Sequence, residues 1–233
     1  GSTLELTDSG LFMDGFDVTQ GDTIVADGQT RQFNAIRIAE GKTVTQTASG
    51  LITATGRVIK GGKGTFELTA AQLGLAPGSD NGQWDLSEGT LSLGKSDGTQ
   101  NYAEVVHEEA SILTSGTLNA TTGLADATLA FHFADRYNLP ASLITGNGNV
   151  NLWQSGPGTM VVNEALPIHG GTTLRGGVIQ LTDTGSLGDS VSAVDTGEGN
   201  DKGVFEIAQS SGERTFNRLV TGTGTLRKTG SGS

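Results

Sequence analysis

The chain has 233 residues, 37 of them glycine, no cysteine and a formal net charge of −11. Without cysteine neither a disulfide framework nor a cysteine metal site can form, and the acidic balance excludes general attraction to a phosphate backbone, so nucleic acid is not an expected partner. No run of about 18 apolar residues could cross a bilayer, so no direct membrane insertion by this stretch is expected.

Gly1-Ser2 reads as a cloning scar, which would make residues 3–233 an excised fragment. The apolar residues that follow sit in short alternating runs, the pattern of half-buried strands separated by turns. "TLELT" places Leu4 and Leu6 on one face and Glu5 on the other, towards solvent. "DGFDVTQGD", Asp14 to Asp22, is acidic and reads as a solvated loop in preference to a calcium site. "RQFN", ending at Asn34, is echoed by "RTFN", ending at Asn217, and predicts an inward ring beside a corner amide.

From Gly56 a distinctive pattern begins: Gly56, Val58, Lys60, Gly62 and Gly64 at alternate positions, preceded by Ile52-Thr53 and followed by "TFELT" with Phe66 and Leu68. "LTAAQLGLAPGS" around Ala70 to Ser79 offers one helical turn, ended by Gly74 and Pro77. Trp84 alternates with Leu86, which predicts an inward or edge position. "LSEGTLSL", Leu86 to Leu93, then directs Leu91 and Leu93 inward and Ser92 outward.

Residues 99–143 keep the pattern least well and predict coils carrying an insertion. Within them, His132 lies outward between Phe131 and Phe133, and "DRYNLP", Asp135 to Pro140, reads as an outlying loop that makes Tyr137 a partner-facing aromatic. Ile144-Thr145 leads into a second copy of the glycine pattern: Gly148, Val150, Leu152, Gly156, Gly158, Met160. There Gln154 and Ser155 interrupt, Leu152 or Trp153 stands near the lysine position, and a bulged strand is expected that exposes Trp153 to a partner.

"PIHGG" places His169 in a turn, and "VIQLTDTG", Val178 to Gly185, repeats "TLELTDSG" of Thr3 to Gly10 with Ile179 and Leu181 inward and Gln180 outward. "LGDSVSA", Leu187 to Ala193, invites comparison with a nucleophilic serine segment, but Val191 stands where the enabling glycine would be and an ordinary turn accounts for the same residues. "DTGEGNDKG", Asp195 to Gly203, is one acidic, glycine-rich copy and reads as a solvated hairpin rather than a calcium site. His107, His132 and His169 lie far apart and predict no zinc site. After Val220-Thr221 comes a third copy, with Gly224, Leu226, Lys228, Gly230 and Gly232, which reads as truncated in mid-repeat.

Segments of about 5 residues cannot stand alone as strands. Coiling the chain so that each strand pairs with its equivalent one turn later stacks the inward residues into a continuous core and satisfies the backbone. The unequal intervals between the glycine copies imply insertions in a smaller unit.

The glycine–apolar–lysine pattern, followed by an alternating strand and by "GGTTLRGGVIQLTDTGSLG", resembles the autotransporter-associated β-strand repeat of type V secreted proteins, clearest over 144–233 and 52–93. The resemblance implies an all-β chain folded as a right-handed parallel β-helix (β-solenoid) with loop insertions, and a passenger at the surface of a Gram-negative cell, carried across the outer membrane by a C-terminal β-barrel. It implies an adhesin, with a host surface receptor or an identical passenger on a neighbouring cell as partner. The alternative is a non-catalytic stalk presenting an N-terminal effector. The acids are scattered singly, so neither an enzyme nor a bound cofactor is expected.

Overall fold

The computed structural model describes residues 3–12, 16–17, 23–26, 29–46, 52–53, 57–69, 84–106, 110–188 and 192–233. Parallel pairing dominates it. The first sheet takes Thr3–Leu6, Gln29–Ile38, Arg57–Gly61, Trp84–Leu86, Ile112–Thr114 and Ile144–Gly146 in chain order, with Thr23–Ala26 added antiparallel to Gln29–Ile38. The second has nine strands: Gly10–Phe12, Thr43–Gln46, Thr65–Leu68, Gly89–Leu93, Ala127–Phe131, Asn151–Gln154, Thr172–Leu174, Val194–Asp195 and Val220–Thr221. The third takes Arg136–Asn138, Thr159–Val162, Val178–Leu181, Val204–Ala208 and Thr225–Thr229. The chain therefore visits the sheets in rotation, and the fold is a parallel β-solenoid.

The alternating runs form strands because stacking buries one side-chain face of each. Phe66, Leu91, Leu129 and Leu152 lie in register in the second sheet and are fully buried. Trp84 faces inward as expected, 1% exposed, its ring 5.8 Å from that of Phe66. Each such side chain contributes about 1.5–3 kcal/mol relative to exposure, and the buried apolar residues form one cluster along the solenoid. The RTFN ring follows the expectation in part, with Phe216 packed 5.1 Å from Phe205 and Asn217 exposed.

The unequal spacing of the glycine pattern now has a cause. It marks corners, and each copy lies at a different one. The first links strand Arg57–Gly61 of the first sheet to Thr65–Leu68 of the second, the middle one links Asn151–Gln154 of the second to Thr159–Val162 of the third, and the last follows from Thr225–Thr229 of the third. At the first, Lys60 Nζ donates to the carbonyls of Gly62 at 2.7 Å, Glu88 at 2.9 Å and Gly61 at 3.2 Å. At the last, Lys228 donates to Thr229 O and Gly230 O, at 3.1 and 3.0 Å.

The bulge expected in the middle copy is absent. Strand Asn151–Gln154 pairs without interruption with Thr128–Phe131. Gln154 itself occupies the lysine position, two residues before Gly156, and its Nε2 donates to Gly156 O at 3.3 Å and Gly158 O at 3.5 Å. An amide donor replaces the amine, so the corner geometry survives the change of side chain.

The DRYNLP loop is also corrected: Arg136–Asn138 is a strand paired with Thr159–Val161. The insertions expected over 99–143 comprise a short helix, Tyr102–Val105, and a projecting hairpin closed by an antiparallel bridge between Leu118 and Ala125. The closing segment is ordered, with strand Thr225–Thr229 paired to Val204–Ala208 and Gly232 N donating to Gln209 O at 3.0 Å. The helical turn proposed at 70–79, His107, residues 189–191 of LGDSVSA and most of Asp14 to Asp22 lie outside the described residues.

Candidate interaction face

Of the two aromatics expected to meet a partner, the structure separates one from the surface. Tyr137 is 6% exposed. It occupies an inward column with Met160, Ile179, Phe205 and Leu226, while its neighbours Arg136 and Asn138 are exposed. Its ring stacks on Tyr102 at 4.7 Å and meets Phe133 edge-on at 5.1 Å, and its hydroxyl donates to Gln154 Oε1 at 2.9 Å. Burial, reinforced by Tyr102 and Asp135, holds the phenol well above its usual pKa. Tyr137 is thus a core residue that anchors the corner glutamine. Polar Asp, Asn and Pro neighbours hid a three-residue strand whose alternation was the available signal.

Tyr137→Phe should lower stability by about 1–2 kcal/mol, because the Gln154 carbonyl oxygen loses its donor inside the core. Urea unfolding followed by circular dichroism checks it, and surface binding should be unaltered.

Trp153 lies on the outer side of the second sheet, half-buried, between inward Leu152 and Gln154. Its indole Nε1 is buried without a hydrogen-bond partner, which costs stability unless something else compensates. The ring meets His132 at 6.1 Å. His132 faces outward as the alternation requires, yet it is only 7% exposed and is hydrogen-bonded through Nδ1 to the Ser155 hydroxyl. Burial lowers its pKa, and the Glu67 and Asp97 carboxylates oppose that shift.

Outward direction and exposure part company along this strip. Ser92 is fully buried and Glu67 is 4% exposed. The segment after Gly94 folds back over them: Ser96 N donates to Glu67 Oε1 at 3.2 Å and Gln100 Nε2 to Thr69 O at 2.8 Å. Thr45 also donates to Glu67, at 2.6 Å. Sequence alternation had no access to this cover, which comes from a different segment of the chain.

The neighbouring outward row stays open. Thr43, Thr65, Thr90, Thr128 and Asn151 stand in consecutive register on five strands of the second sheet. Thr43 is exposed and the others are half-buried. Adjacent strands lie about 4.8 Å apart, so the row is a regular line of hydroxyls, each able to donate and to accept. Asn151 ends it, donating to Thr128 Oγ1 at 3.3 Å. On the third sheet, Arg136 donates to Gln180, Gln180 to Glu206 at 2.9 Å, and Arg227 and Thr229 to Glu206 at 3.1 and 2.6 Å. These side chains pair with one another, which leaves the threonine row as the more available polar surface.

Among the described residues, no three or more of His, Asp and Glu converge as metal ligands. Asp195 to Gly203 folds as the expected hairpin, with Gly197–Glu198 antiparallel to Asp201–Lys202, and Asp195 pairs with Arg175 at 2.9 Å. His169 is half-buried in its turn.

The class defined by this geometry is a parallel β-solenoid with a hydroxyl-lined side face. Comparison with protein-family models, curated proteins and solved structures found no match.

Proposed function

We propose that the chain is a non-catalytic surface-binding solenoid, a passenger segment of the autotransporter adhesin type, carried outside a Gram-negative cell and linked to a C-terminal outer-membrane barrel. The in-register row from Thr43 to Asn151, bordered by Trp153, carries this reading. A rigid row of hydroxyls loses little conformational entropy on binding, and the half-buried Trp153 ring adds an aromatic surface beside it. The partner is a host surface receptor or the same face of a passenger on a neighbouring cell. The acidic net charge disfavours nucleic acid.

The test displays the full passenger on cells, intact, without residues 3–233, and with Thr65, Thr90, Thr128 and Trp153 changed to Ala. Clumping or host-cell attachment should vanish on deletion and fall about tenfold in the fourfold variant, a loss of roughly 1.4 kcal/mol. Unchanged adhesion after deletion would leave this segment only the role of a stalk.

A further inference from the structure

We infer that the hairpin spanning Thr117 to Asp126 forms a binding site for a neutral saccharide. The proposal deepens the surface-binding role above by naming a ligand class, and it rests on that reading.

The hairpin is a braced insertion. At its base Thr117 N donates to Asp126 Oδ1 at 2.6 Å, and Ala125 N to Asn151 Oδ1 at 2.9 Å. Its turn is held by Asn119, whose Oδ1 accepts from Thr121 N and Thr122 N at 2.9 and 3.0 Å. Its tip is pinned to a later coil, where Ser192 donates to Gly123 O at 2.6 Å. Such bracing fixes the side chains before any ligand arrives, which reduces the entropy lost on binding.

The hairpin lines an open surface depression of about 440 Å³, the shape that suits a ligand whose outer face stays in water. Leu124 offers an apolar surface, 50% exposed. Thr117, Asn119 and Asp126 line the same depression, and the Thr117 hydroxyl, the Asn119 amide nitrogen and Asp126 Oδ2 have no partner among the described residues. An apolar patch ringed by separate donors and acceptors matches a sugar ring, with its C–H face and its rim of hydroxyls. Asp126 selects within that class. Its carboxylate accepts from sugar hydroxyls and repels a uronate. Asn151, which holds the hairpin base and also bonds Thr128 Oγ1, joins the depression to the threonine row, so a longer glycan could continue along that row.

The test is amide NMR titration of the isotope-labelled protein with glucose, galactose, N-acetylglucosamine and glucuronate. At least one neutral sugar should shift the amides of 117–126 saturably, with a dissociation constant on the order of 1–10 mM. Thr117→Val and Leu124→Ala should each weaken it about fivefold without altering the rest of the spectrum, and glucuronate should bind only to Asp126→Asn. The site is overturned if no neutral sugar produces saturable shifts, if both variants bind like the parent, or if glucuronate binds the parent equally well. Cells that still clump while every sugar fails would remove this site and leave the adhesive role standing. Sugar binding with no adhesion would do the reverse.

Discussion

Lys60→Met is expected to destabilise the protein by about 2–4 kcal/mol, because the short contacts to Gly62 O and Glu88 O lose their donor in a fully buried corner. Methionine keeps a long apolar stem, so the loss isolates the amine from the packing. Lys60→Gln should fall between the two, since Gln154 performs the same capping at the next type of corner. Urea melts at fixed pH measure all three. A change below about 1 kcal/mol in Lys60→Met would mean that the corner carbonyls need no partner.

This effect should also depend on pH. Burial lowers the Lys60 amine from 10.5 to about 7, against the pull of the Glu88 carboxylate and with a further push from Arg37. Between those values the unfolded chain binds a proton that the folded chain does not, so the contribution of Lys60 to stability rises with pH across that window and is lost as pH falls through about 7. The penalty of Lys60→Met should therefore be larger at pH 9 than at pH 6. A pH-independent penalty would contradict the depressed amine.

Gly89→Ala should be the more damaging of two superficially equal substitutions. Gly89 and Gly41 both have left-handed backbone, with φ of +69° and +73°. A Cβ at Gly41 meets nothing within 4 Å, whereas one at Gly89 would lie 2.2 Å from Gly62 O and 2.5 Å from Lys60 Nζ. Gly41→Ala should cost about 1–2 kcal/mol, the strain of the backbone alone. Gly89→Ala adds a collision with the backbone of the preceding coil and with the capping amine, and about 3–5 kcal/mol is expected. That is a large share of the stability of an ordinary domain. Thermal melts of the pair decide the matter, and equal losses would show that coil stacking at this corner tolerates an added methyl.

Much of the architecture was legible because a strand has a period of two, and period is a local property. Leu91 and Leu93, Ile179 and Leu181, and Trp84 with Leu86 all face the interior that their alternation specifies. The glycine–lysine pattern was equally visible, but its meaning was not. Read as one recurring coil, it forced unequal insertions; placed in space, it is a corner device that occurs at three different corners. Gln154 escapes the pattern for the same reason, because its equivalence to Lys60 lies in the carbonyls it reaches and not in its side-chain type.

What the sequence determined by itself was alternation, turn positions and therefore a stack of short parallel strands around an apolar interior. The tertiary structure alone decided which outward residues meet solvent. Ser92 and Glu67 are covered by the segment after Gly94, Tyr137 is drawn into a column of residues from successive coils, and the threonine row remains open. The physical reason is range: inward or outward direction follows from the backbone of a few neighbouring residues, whereas burial depends on what a distant part of the chain lays over them.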